Sequence, residues 1–166
     1  MRDFLVSLLL LVGVSAMAQV KNNGCYLRLI EPVQSDTLEY TNGDVRVSFD
    51  FDSGAYFVRV EVENLTDEMI SLDWDKFLIT GENSSHAIIF DDTRAALKDS
   101  PKGVARIAPH THVSKKITKA ENAEYPLPLY QKKYVKLRPA YIGFIIPIEK
   151  GGEAVGVKCA IQATLK

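Results

Sequence analysis

The sequence predicts an all-β fold, an antiparallel sandwich of about seven to eight strands. Three observations point to it. Apolar side chains recur at every second position over much of the chain beyond residue 19. Short clusters of Gly, Asn, Asp and Ser separate these runs. Most runs have one apolar face, and two stacked antiparallel sheets bury such faces against each other.

The elements follow in order. Cys25–Ile30 is a short first strand. Val45, Val47, Phe49 and Phe51 alternate with Arg46, Ser48, Asp50 and Asp52, and Ser53-Gly54 ends that run. Val58, Val60 and Val62 alternate with Arg59, Glu61 and Glu63. After a polar turn, Ile70, Leu72 and Trp74 alternate with Ser71, Asp73 and Asp75. Ala87–Phe90 and Val113–Ile117 are shorter candidates. The apolar run Tyr141–Ile148 and the long alternation Val155–Leu165 flank Glu149-Lys150-Gly151-Gly152-Glu153, which predicts a hairpin. Two stretches interrupt the pattern. Asp91–Gly103 is polar and holds at most one helical turn. Glu121–Arg138 contains Pro126 and Pro128, whose missing N–H groups exclude a central strand and leave a loop or an edge.

The start of the chain reads as an address. Phe4–Val14 is apolar, too short to span a bilayer, and Ala16-Met17-Ala18 supplies the small residues of a cleavage site. Residues 1–18 are therefore expected to be a signal peptide, and residues 19–166 a single sandwich domain, periplasmic or secreted, with no membrane insertion after cleavage. Cys25 lies too far from the apolar run to be a lipidation site. Cys25 and Cys159 are the two cysteines, and in an exported chain an even count predicts a disulfide. Such a bridge would close a loop of about 134 residues, worth about 5 kcal/mol in the chain-entropy picture.

The strand Val58–Asn64, its polar turn and the Trp74 strand resemble those of small exported immunoglobulin-like sandwich proteins of Gram-negative bacteria. Ile107-Ala108-Pro109 and Ile146-Pro147-Ile148 are similar in style. The resemblance implies an immunoglobulin-like sandwich and assigns no activity. The Cys…Trp…Cys arrangement of antibody domains is not reproduced, because the cysteines sit in the first and last strands.

Charge is divided unevenly. Residues 19–97 hold six basic and fifteen acidic side chains, and residues 98–166 hold thirteen and five, giving nets of −9 and +8. Either early strands pair with late ones and neutralise them, or the surface is dipolar and fits a charged partner. The whole chain is at −1, which supplies no global attraction to nucleic acid or to a membrane.

The candidate chemistry is sparse. Asp50, Asp52, Asp73 and Asp75 form two pairs that would suit calcium if they converged, although each pair flanks an aromatic expected to be buried. His110 and His112 would share a strand face and offer half of a zinc or copper site. No metal or cofactor is assigned on these grounds. Phosphate-loop, dinucleotide, zinc-protease and serine-hydrolase signatures are absent from the sequence. The basic, aromatic stretch of Tyr125, Tyr130, Lys132, Lys133, Tyr134 and Lys136 is the expected binding surface, because proline-ordered aromatics offer large contact area at low entropic cost. These readings predict a non-catalytic binding or structural module of the envelope that meets a protein or glycan. A periplasmic small-ligand or metal-binding protein is the alternative.

Overall fold

A computed structural model describes residues 19–165, so the expected signal peptide lies outside the described residues. The strands are β1 (Val20–Asn22), β2 (Cys25–Glu31), β3 (Glu39–Thr41), β4 (Val45–Phe51), β5 (Val58–Asn64), β6 (Ile70–Asp73) and β7 (Leu78–Thr80). They continue as β8 (Ser85–Phe90), β9 (Val104–Ile107), β10 (His112–Lys119), β11 (Ala140–Ile146), β12 (Ile148–Lys150), β13 (Glu153–Ala154) and β14 (Val157–Thr164). The fold is all-β and antiparallel, consistent with a sandwich. The expected strand count is corrected to fourteen among the described residues. The strands absent from the expectation, β1, β3, β7, β9 and β13, have two to four residues, too few to display a period of two.

Ten strands form one sheet in the order β1-β2-β14-β11-β7-β8-β10-β5-β4-β3, and four form a second, β13-β12-β6-β9. The long sheet curls, and its two limbs meet. Phe49 on β4 lies against Phe144 on β11, their ring centroids 4.5 Å apart. At the rim, Asn22 on β1 donates through Nδ2 to the carbonyls of Phe51 and Asp52 at the end of β4. Ile70, Leu72 and Ile148 of the short sheet join the same buried cluster as β2, β4, β5, β11 and β14.

Sequence dictates these strands through alternation. In β4 and β5 the even steps are Val45, Val47, Phe49, Phe51 and Val58, Val60, Val62, all buried, while Arg46, Asp50 and Arg59 reach solvent. Burial of each such side chain is worth about 1.5–3 kcal/mol against exposure. Pro147 divides the Tyr141–Ile148 run. Residues before it pair with β14 and β7, and residues after it pair with β6 and β13, so the chain changes sheets at the residue that cannot donate a ladder bond. The predicted hairpin forms with Lys150 opposite Glu153, and Gly151 and Gly152 take the positive φ angles of 58° and 86° that such a turn requires.

The expected disulfide is not formed. Cys25 and Cys159 are free and buried. Register explains why. β2 and β14 are neighbours with Tyr26 opposite Thr164, which places Cys25 beside Leu165, six residues along β14 from Cys159. At about 3.3 Å per residue that is about 20 Å, far beyond the reach of a disulfide.

Candidate functional site

The segment between β10 and β11 leaves the sheet through a 3₁₀ turn at Ala120–Ala123. Pro126 and Pro128 then keep it out of any ladder. Buried Asn122 donates through Nδ2 to Thr118 Oγ1 at 3.2 Å and to the Leu127 carbonyl at 2.8 Å. The Leu129 N–H donates to the Ala55 carbonyl at 2.8 Å. Tyr130 turns inward and is 3% exposed. Its hydroxyl donates to Asn22 Oδ1 at 2.5 Å, and its ring meets Phe51 edge-on at 5.8 Å. A single helical turn follows, α1 (Lys132–Val135), with Val135 buried beneath it. The segment is thus pinned at Leu129, Tyr130 and Val135.

Pinning those residues inward forces others outward. Leu137 is 83% exposed and Tyr125 78%, the two highest values among the large apolar side chains described. Leu127 and Tyr134 are also exposed. Tyr134 stands between two grooves. One, of about 530 Å³, runs past Leu137, Pro139 and Tyr141, and the other, of about 270 Å³, runs past Leu127 and Leu129. Leu127, Tyr134 and Leu137 therefore line two adjoining hollows.

The charges on this surface's own stretch of chain are positive, while Glu82 and Glu121 also line its two grooves. Between Glu124 and Glu149 the chain has no Asp or Glu and four cations, Lys132, Lys133, Lys136 and Arg138. Lys133 Nζ lies 4.7 Å from the centroid of the Tyr134 ring. Arg138 pairs with Glu82 at 2.8 Å. Lys132 folds back across Gly24, close to where a Cβ would stand. Lys133 and Lys136 make no ion pair among the described residues.

Of the residues expected to bind, Tyr125, Lys132, Lys133, Tyr134 and Lys136 are exposed. Tyr130 is the correction, because it is a buried anchor and presents nothing to a partner. Its phenol is pushed well above its usual pKa, first by burial and then by Cys25 and Asp52 nearby. Leu127 and Leu137 were missed. Two leucines flanked by prolines or cations, outside any alternating run, were the available signal.

The other candidate sites come apart. Asp50 and Asp52 belong to the long sheet and face Arg59 and Lys116 around a hollow of about 200 Å³. Asp73 is on β6, where it pairs with Lys76 at 2.8 Å. Asp75 accepts the N–H groups of Lys102 and Gly103 at 2.8 and 3.0 Å, and these bonds hold its carboxyl below the usual range. The four aspartates therefore do not converge. His110 and His112 do not share a strand face, because His110 sits in the turn before β10 with φ of 56° and bonds Asp67 at 2.9 Å. Among the described residues no group of three or more His, Cys, Asp and Glu side chains is arranged to hold a metal ion. No helix among them is long and apolar enough to cross a membrane.

Compared with models of protein families, with curated proteins and with solved structures, the chain matches none of them.

Proposed function

We propose that this chain is an exported, non-catalytic binding module of a bacterial envelope, acting by surface contact from an immunoglobulin-like sandwich. One observation supports the reading above others. The most exposed large apolar side chains sit on a stretch without acidic residues, and buried Tyr130 and Val135 fix that stretch in place. Apolar groups held rigidly in water mark an interaction surface, because ordering them in advance lowers the entropy lost on binding. The surface is the exposed part of Tyr125–Tyr141, and the partner class is an envelope protein, glycan or lipid.

The test is sedimentation with an isolated Gram-negative cell-envelope fraction. The protein is expected in the pellet, and Tyr134→Ala with Leu137→Ala is expected to lower its retention at least tenfold, as two contact residues should. Both positions are exposed, so folding is retained. Equal retention of the double variant would sink the proposal.

The groove beside Tyr134 and Tyr141, with its volume of about 530 Å³, favours a second reading, a small-ligand-binding protein. In that case the protein is not retained by the envelope fraction, and Tyr141→Ala abolishes binding of a soluble ligand.

A further inference from the structure

We infer that Tyr125–Arg138 seats the protein on the surface of an anionic phospholipid bilayer. The inference rests on the reading that this segment is the binding surface, and it names the partner.

The composition of the surface distinguishes a bilayer from other anionic partners. A sugar ring stacks on flat aromatic faces. Here the most exposed large apolar side chain is aliphatic Leu137, and Leu127 is a second exposed leucine. A branched aliphatic group has no flat face to offer a sugar, but it gains by entering the boundary between headgroups and acyl chains. Tyrosine belongs at that boundary, where its ring is apolar and its hydroxyl stays wet, and Tyr125 and Tyr134 are both exposed.

The cations alternate with these groups along the chain. Lys133 precedes Tyr134, and Lys136 and Arg138 flank Leu137. Lysine lays its methylene stem along apolar surface and holds its ammonium at the phosphate layer. Lys133 and Lys136 have no carboxylate within ion-pair distance among the described residues, the stretch from Tyr125 to Ile148 contains no acidic residue, and the acids beside it, Glu82, Glu121 and Glu124, are paired with Arg138, Lys119 and Lys98. Positive charge against negative headgroups is the complementarity that selects this occupant. The chain would lie on the bilayer without crossing it, because the apolar tip is only Tyr125, Leu127, Tyr134 and Leu137, on a loop and one helical turn.

The experiment uses the chain from Gln19 onward. That segment holds every described strand and the whole apolar cluster, and it excludes the apolar run Phe4–Val14. The protein is sedimented with vesicles of equal parts phosphatidylglycerol and phosphatidylcholine, and with vesicles of phosphatidylcholine alone. Binding is expected to the first and to be much weaker on the second. It should fall near 1 M salt, where screening shrinks to about 3 Å. Lys133→Gln with Lys136→Gln should lower the partition coefficient about 25-fold, about fivefold for each cation removed. Leu137→Ser should lower it about five- to tenfold.

Equal binding to both vesicle types, or no loss on removing the two lysines, overturns the assignment. So does an absence of vesicle binding while retention by the envelope fraction still depends on Tyr134 and Leu137. In that case the partner is a protein or glycan, and the binding-surface reading stands. Envelope retention indifferent to Tyr134 and Leu137 brings down both.

Discussion

Tyr130 is the residue whose replacement best separates an anchor from a contact. Its ring is almost wholly buried between β1 and β4, edge-on to Phe51, and its hydroxyl bonds Asn22 Oδ1 at 2.5 Å. Tyr130→Phe keeps the ring and removes one hydrogen bond, so the loss should be about 1–1.5 kcal/mol. Tyr130→Ala removes the ring and leaves a cavity where the loop meets the sheet, costing about 3–5 kcal/mol. At about 2–4 °C per kcal/mol for a domain of this size, the melting temperature should fall about 3 °C for the first and about 10 °C for the second. Trp74, the single tryptophan, is buried against Phe77 and Phe90 and reports unfolding by its fluorescence. Envelope retention of Tyr130→Phe should match the unaltered protein, because Val135 and the remaining ring still hold Tyr134 and Leu137 outward. If Tyr130→Phe melts normally but loses retention, Tyr130 is a contact and the anchoring argument fails. If Tyr130→Ala costs under 1 kcal/mol, the pinning of the segment has been misread.

Three further predictions concern the interior. Both thiols should be free in unreduced protein and react with a thiol reagent at pH 8 only after denaturation. Burial pushes Cys159 up to about 12 and also raises Cys25, where Lys132 offsets part of the effect. An unfolded thiol titrates near 9.0. The folded state therefore holds the proton more tightly, and stability that is complete below pH 9 should fall as pH rises from about 9 to about 12. A melting temperature that stays flat through that interval contradicts the burial argument. Asn64 is fully buried and donates to the Glu68 and Ile107 carbonyls while accepting from Thr66 N–H and Oγ1. Asn64→Ala should cost about 2–4 kcal/mol in urea unfolding, against less than about 0.5 kcal/mol for exposed Asn83→Ala.

How much of the fold was legible depends on strand length. β4, β5 and β14 have seven or eight residues with one buried face, and alternation alone reveals them. β3 and β7 have three residues each and are defined by their partners, β4 for the first and β11 and β8 for the second. β1 left a signal that was passed over. Asn23-Gly24, with φ of 47° and 70°, is the turn joining it to β2, and Asn-Gly is a strong hairpin signal. Cysteine counting failed for a physical reason. Cys25 lies in the second strand rather than the first, and although that strand neighbours β14, parity says nothing about register, and register sets the separation of the two cysteines.

The projecting segment was legible in the sequence, but which of its side chains point outward was not. Prolines and cations marked the segment, but nothing local tells an inward tyrosine from an outward one without the position of β1. Charge was harder still. Neutralisation between early and late strands was one expectation, and the register argues against it. The two halves lie side by side at β5–β10, β8–β10, β2–β14, β7–β11, β6–β9 and β6–β12, and at none of these seams does the register set a Lys or Arg opposite an Asp or Glu; on β5 and β10, Lys116 faces Arg59, Lys115 faces Val60 and Ser114 faces Glu61. Of the Lys and Arg ion pairs among the described residues, only Lys150–Asp44 and Arg138–Glu82 join the two halves. Arg28–Asp36, Arg46–Glu63 and Lys76–Asp73 lie within the acidic half, and Lys98–Glu124 and Lys119–Glu121 within the basic one. The positive excess is therefore left on the surface, and Lys133 and Lys136 hold part of it beside the most exposed leucine among the described residues. A bundle of charges matched strand by strand would have hidden the asymmetry inside the sheets. Its survival next to an apolar tip is what an anionic, partly apolar partner requires.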